Sequence, residues 1–136
     1  MPEISSQLPH KKIGVAVIQD SQGKILIDRR LNKGDMAGLW EFPGGKIESN
    51  ETVEECIVRE ILEELAIEIE VIEPLITIDH TYTNFRLSLF VYCCHHLSGE
   101  PQAIECEEIR WVTVEELERF SFPAANVQII EALKRQ

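Results

Sequence analysis

An α/β chain, more specifically a mixed β-sheet flanked by helices (α+β), is the fold class that this sequence predicts, and three observations carry the prediction. Short apolar and β-branched runs recur along the chain, bounded by Gly, Pro, Asn and Asp. One stretch near the middle, Thr52 to Leu65, carries its apolar residues at helical spacing instead. A second helical pattern closes the chain, so helices alternate with runs of strands around one sheet.

In order, Ile13 to Gln19 and Lys24 to Arg30 predict two strands, joined as a hairpin by Asp20-Ser21-Gln22-Gly23. Leu31 to Leu39 contains Asn32, Gly34, Asp35 and Gly38 and reads as a loop. Trp40-Glu41-Phe42 then enters a glycine corner. Thr52 followed three residues later by Glu55 is a capping box, and Val53, Ile57, Ile61 and Leu65 form a buried stripe, so a helix runs from about Thr52 to Leu65. Glu68 to Val71, Leu75 to Tyr82 and Phe85 to His95 have strand composition, broken by Pro74 and by Thr83-Asn84. A turn at Ser98-Gly99-Glu100-Pro101 precedes a short strand, Ile109 to Thr113. Val114 to Arg119 predicts a short helix and Ala125 to Lys134 a longer one. There is no internal repeat, low-complexity tract or linker.

At 136 residues and 44% hydrophobic content, the chain suits one domain spanning 1–136. No apolar run reaches membrane-spanning length and the start lacks a secretory pattern, so a soluble, cytoplasmic protein is expected. Cys56, Cys93, Cys94 and Cys106 have no regular spacing, which fits free thiols in a reducing compartment. A net charge of −11 opposes attraction to a long nucleic acid or an anionic membrane. A small phosphate ester stays feasible if a metal ion neutralises local carboxylates. Oligomeric state, monomer or dimer, is left open.

The chemistry concentrates where Gly44-Gly45-Lys46-Ile47-Glu48 leads into Arg59-Glu60-Ile61-Leu62-Glu63-Glu64. At about 100° per residue, Glu60, Glu63 and Glu64 share one sector of the helix, beside the apolar stripe. Like charges so close repel, and hard oxygen donors suit Mg²⁺ or Mn²⁺ as the offsetting cation. Arg59 lies between carboxylates and can hold one bidentately. Gly44 and Gly45 permit close approach of a ligand to the main chain.

Residues 45–67 resemble the box of the Nudix hydrolase family, with one departure: Ala66 stands where the family has glycine. The resemblance implies an α/β/α sandwich, with Glu51 as partner of Arg59. It also implies a metal shell from the Gly44 carbonyl, Glu60, Glu63 and Glu64. Ala66 either adopts the left-handed cap conformation at a cost of roughly 1–2 kcal/mol or lets the helix run on.

Trp40-Glu41-Phe42-Pro43-Gly44-Gly45-Lys46-Ile47-Glu48 and Phe122-Pro123-Ala124-Ala125-Asn126 resemble the MutT-like branch of that family. This implies metal-dependent hydrolysis of 8-oxo-dGTP, a small-molecule nucleoside triphosphate, to the monophosphate and pyrophosphate. Its cellular counterpart is cleansing of the nucleotide pool. Catalytic roles then fall to Glu60, Glu63, Glu64, Glu105 and Arg59, with Glu105 a further metal or base carboxylate and Glu107 and Glu108 its close competitors. Substrate contacts are implied for Arg30, Asp35, Glu41, Phe42, Pro43, Gly44, Lys46 and Asn126. An Asn126 carboxamide offers an acceptor and a donor in the order that matches N7–H and O6 of 8-oxoguanine, whereas guanine presents two acceptors. Asn126 could otherwise be a helix N-cap before Val127. Alternatives are a Nudix enzyme for modified pyrimidine nucleotides, nucleotide sugars or dinucleotides, and a non-catalytic nucleotide-binding module.

Two constellations are set aside. Cys93-Cys94-His95-His96 would alternate between sheet faces and lacks zinc-ligand spacing. Asp79-His80 reads as a polar strand end.

Overall fold

The computed structural model describes residues 8–34 and 36–136. Among them, β1 (His10–Gln19), β2 (Ile25–Arg29), β3 (Trp40–Glu41) and β4 (Gly44–Lys46) precede helix α1 (Val53–Leu65). Then follow β5 (Glu68–Thr81), β6 (Arg86–Ser98), β7 (Glu108–Val112), a 3₁₀ turn at Glu115–Arg119 and helix α2 (Ala124–Lys134). The strands form one mixed sheet in the order β3-β2-β1-β6-β5, with β4 against β1 and β7 against β2.

Strand alternation sends β1 and β2 side chains to both faces. Val15, Val17, Ile25 and Ile27 join Ala125, Ile129 and Leu133 of α2 in one core. Ala16, Ile18 and Leu26 join Ile57, Ile61 and Leu65 of α1 in the other. The sheet is thus covered on both faces, which bears out the predicted helix–sheet–helix layering. Among the described residues no helix is long and apolar enough to cross a membrane, and the four cysteines are free.

Two expectations are corrected. β1 and β2 are antiparallel, but their ladder is reduced to the pair Gln19↔Ile25, because β4 takes the same edge of β1 over Ile13–Val15 and β7 pairs with β2. The long partner of β1 is β6, parallel over ten register pairs from His10↔Arg86 to Gln19↔His95. Pro74 does not break its strand either. β5 lies at the sheet edge, where a missing N–H is tolerated, and register shifts at Val71/Glu73 and Pro74/Ile76 absorb the irregularity.

The capping box is present in full: Thr52 Oγ1 accepts the Glu55 N–H at 3.1 Å and Glu55 Oε1 accepts the Thr52 N–H at 2.8 Å. At the other end Ala66 takes the left-handed conformation, φ 60° and ψ 32°, its N–H bonded to the Leu62 carbonyl. Of the two outcomes open from sequence, the strained cap is the one adopted. Ala66→Gly is therefore expected to raise stability by about 0.5–1 kcal/mol, after the greater freedom of glycine in the unfolded chain offsets part of the relief; urea denaturation measures it.

Candidate active site

β4 is held so closely to β1 that a Cβ at Gly44 would strike the Gly14 carbonyl, and one at Gly45 would overlap the Glu60 carboxyl group. Gly44 is required by space because backbone blocks it, whereas the obstacle at Gly45 is the movable end of the Glu60 side chain. The Gly45 contact brings the main chain of the corner against Glu60 of α1.

Arg59 organises what surrounds it. Its Nη2 and Nε donate to the two Glu51 oxygens at 2.6 and 3.0 Å, as the resemblance implies. Nη1 donates to Glu60 Oε1 at 2.9 Å, and Nη2 also reaches the Lys46 carbonyl at 3.2 Å. The Arg59 hydrogen bonds, with the Glu48 N–H, hold Glu51 down at about 2, while Glu51 raises the Arg59 guanidinium in turn.

Glu60, Glu64 and Glu105 line a cavity of about 540 Å³ together with Gly44, Gly45, Glu41, Arg30, Phe42 and Asn126. That size suits a nucleotide. Glu63 departs from the expected convergence. It lies 3.3 Å from Arg59 as an i,i+4 pair, with its side chain 55% exposed, and it does not line the cavity. Helical geometry gives the reason: Glu64 stands about 40° from Glu60, whereas Glu63 stands about 60° from Glu60 on the opposite side, and about 40° from Arg59. Of the three acidic residues in the 105–108 loop and strand, Glu105 faces the cavity, while the Glu107 N–H is tied to the Arg29 carbonyl and Glu108 begins β7.

Burial pushes the Glu64 carboxyl up to about 10, reinforced by its hydrogen bond to Glu60 and by the charges of Glu60, Asp28 and Glu105. Asp28, which the sequence reading did not single out, is only 4% exposed. Burial raises it to about 9, followed by the charge and hydrogen bond of Glu41, with Arg30 acting in the opposite sense. A charge that ends an apolar run, Ile25-Leu26-Ile27-Asp28, looks like an ordinary strand end; only its register opposite Glu41 brings it into the acidic group. Among the described residues no three carboxylate, imidazole or thiol groups stand close enough to enclose an ion unaided. The available donors are all oxygens, and protons held by clustered acids mark where a hard cation would replace them.

On the cavity wall, Arg30 Nη1 pairs with Glu41 Oε1 at 2.9 Å. Phe42 is both cavity wall and core, stacked on Phe122 with ring centroids 5.4 Å apart. Asn126 is not an N-cap, because α2 begins two residues earlier and its N-cap position is Pro123. The Asn126 Oδ1 accepts the Phe42 N–H at 3.4 Å, a long bond that nevertheless fixes which side of the amide is oxygen, since a backbone N–H can only donate. Pro43 is buried, its carbonyl accepting the Ala16 N–H at 2.8 Å. Lys46 is exposed and does not line the cavity. Asp35 lies outside the described residues. The cavity is completed by residues unmarked in the sequence reading, among them Lys11, Tyr82 and Phe85.

The rejected constellations stay apart from this site. Cys94 is buried and Cys93 only half-buried, as strand alternation requires. Asp79 accepts the Ser88 hydroxyl, and His10 Nε2 lies 2.7 Å from the same oxygen.

Comparison with known proteins agrees with this architecture. The family model described as the NUDIX domain matches residues 14–132. The chain is 33% identical over 124 residues to the 8-oxo-dGTP diphosphatase of Escherichia coli K12, covering 91% of this chain and 96% of that protein. It is 35% identical over 118 residues to the CTP pyrophosphohydrolase of the same organism, covering 87% of each. The crystal structure of a MutT NUDIX hydrolase from Burkholderia pseudomallei superposes with a TM-score of 0.82 at 31% identity, over 91% of this chain and 98% of that one. The chain belongs to the NUDIX family, whose hydrolases act on pyrophosphate bonds.

Proposed function

We propose that this chain hydrolyses 8-oxo-dGTP to 8-oxo-dGMP and pyrophosphate and so removes oxidised guanine from the nucleotide pool. The observation that carries the reading is the Asn126 carboxamide on the cavity wall, oriented by the Phe42 N–H. Its second oxygen lone pair can accept N7–H of the oxidised base while its amino group donates to O6. Guanine would set two acceptors against that pair, a mismatch worth roughly 1–3 kcal/mol when buried.

Nudix hydrolases generally need a divalent metal such as Mg²⁺. Glu60, Glu64 and the Gly44 carbonyl would hold Mg²⁺ or Mn²⁺ here, with Glu105 assisting, and Glu63 acts through Arg59 instead. When bound, the ion would neutralise phosphate charge and acidify a water. Arg59 holds Glu60 by a hydrogen bond and keeps it aimed at the corner. Because Glu60 is committed to Arg59 and Glu64, we assign acceptance of the proton from the attacking water to Glu105. Arg30, pinned by Glu41, supplies positive charge on the nucleotide side of the cavity.

A second reading follows from the 35% identity to a CTP pyrophosphohydrolase. Cytosine also presents a donor beside an acceptor, at N4 and N3, so the same carboxamide can meet it. Values of kcat/KM for dGTP, 8-oxo-dGTP, CTP, dCTP and methylated pyrimidine triphosphates, measured by pyrophosphate release, decide between the two. Asn126→Ala is expected to lower kcat/KM on 8-oxo-dGTP by about 5–100-fold, leaving dGTP nearly unchanged. Equal losses on every nucleotide would remove Asn126 from base recognition.

A further inference from the structure

Glu105 sits in a stretch without helix or strand, between β6 and β7, and its place there is fixed from outside the stretch. A helix end leaves its last carbonyls without partners inside the helix. At the end of α1 two of these are taken by the residues that lead to Glu105: the Gln102 N–H donates to the Leu65 carbonyl at 2.9 Å, and the Ile104 N–H to the Glu64 carbonyl at 3.3 Å. Two residues beyond Glu105, the Glu107 N–H donates to the Arg29 carbonyl of β2 at 2.8 Å. Glu105 is thus suspended between two main-chain anchors, and the one nearer in the chain belongs to Glu64 itself.

The stretch reaches α1 only because of how it begins. Gly99 follows β6 with φ 92°, a conformation open to glycine and strained for other residues. The left-handed cap residue Ala66 sets its carbonyl where a Cβ on Gly99 would stand 2.9 Å from it and 3.2 Å from Ile67 Cα. Both obstacles are backbone, so any side chain at 99 pushes the stretch off the helix end. On its other side the Gly99 carbonyl lies 2.8 Å from His96 Nε2, which ties the turn back to β6. The Ile104 side chain, by contrast, is exposed, so what this residue contributes is its N–H. The outcome shows in the cavity: Glu64 and Glu105 both line it, and the Glu105 charge acts on the Glu64 carboxyl.

We propose that the end of α1 is the seat that places Glu105 against Glu64, with Gly99 and the Ile104 N–H as its positioning groups. The proposal rests on the role given to Glu105 above, and its substrate is whichever nucleotide the wild-type chain hydrolyses best. Gly99→Ala should lower kcat by about 10–100-fold with KM nearly unchanged, since a displacement of about 1 Å at a reacting group suffices for such a loss. Ile104→Pro, which deletes the N–H, should lose kcat to a similar degree. Ile104→Ala, the conservative variant that keeps it, should recover the wild-type rate. On the Glu105→Gln background, Gly99→Ala should cost less than about twofold more, because both changes remove the same contribution. In the metal-free chain, amide hydrogen exchange at Gln102 and Ile104 should quicken about tenfold in Gly99→Ala relative to Val17 in the core. Losses that multiply across the Gly99 and Glu105 changes, or exchange at 102 and 104 that follows the core, would overturn the proposal. Slow turnover in Glu105→Gln with a wild-type kcat in Gly99→Ala sinks it alone. Wild-type turnover in Glu105→Gln removes both it and the assignment of proton acceptance to Glu105.

Discussion

Glu64→Gln is expected to lower kcat on the preferred nucleotide by roughly 10²–10³-fold, while leaving the metal-free chain at least as stable as wild type. The two halves of that expectation have one cause. Burial and the neighbouring acids raise the Glu64 carboxyl to about 10, so without a cation it stays protonated, and a neutral amide of the same shape can keep the hydrogen bond to Glu60. With a cation present the roles reverse, because the amide cannot supply the negative charge that would bind it. Pyrophosphate release at saturating Mg²⁺ gives the first half. Melting in EDTA and then with added Mg²⁺ gives the second, where the Mg²⁺-induced shift should disappear in the variant. Near wild-type turnover by Glu64→Gln would take this residue out of the reaction.

The metal-free chain should also lose stability as pH rises from about 4 to about 9. Asp28 ionises at about 9 in the fold against a reference of 3.8, and Glu64 at about 10 against 4.5. Between those values the folded chain holds protons that the unfolded chain has released, so each step up in pH favours unfolding. Below about 4 both states are protonated and the effect is absent; above about 10 it levels off. Glu51, lowered to about 2, works in the opposite direction but only in acid, below its reference value of 4.5, so its window meets that of Asp28 only between 3.8 and 4.5. Asp28→Asn removes one of the two retained protons from the balance. It should flatten the slope and stabilise the chain at pH 8 by on the order of 1–3 kcal/mol. Urea denaturation in EDTA at pH 6 and pH 9 measures both. An Asp28→Asn variant with the wild-type slope would show that Asp28 does not carry this dependence.

What sequence discloses about this molecule follows the range of the interactions involved. The α1 boundaries were legible because Thr52, Glu55 and the stripe Val53, Ile57, Ile61, Leu65 act within a few residues of each other. The Arg59–Glu51 pair was legible from the family resemblance. The ten-pair parallel ladder between β1 and β6 was not, since no local pattern says that residues 10 and 86 are neighbours. Pro74 misled for a related reason: its effect depends on whether its strand lies at an edge, which is a property of the whole sheet. At the site, the acidic residues of α1 could be counted from the chain, yet whether Glu63 joins Glu60 and Glu64 is settled by the competing pull of Arg59. Asp28 gave no signal in one dimension. It acquires its meaning from a partner brought by another strand, Glu41.

The crowding of Gly14, Gly44, Gly45 and Glu60 has a bearing on how such a protein can diversify. At this junction an extra carbon on Gly44 meets backbone, so that point of the corner is a fixed casting. Other parts of the cavity are assembled from a hairpin tip and the opening turn of a helix, where side chains can be exchanged one at a time. Phe85 and Asn126 line the same cavity and can be exchanged without touching the Gly44 junction.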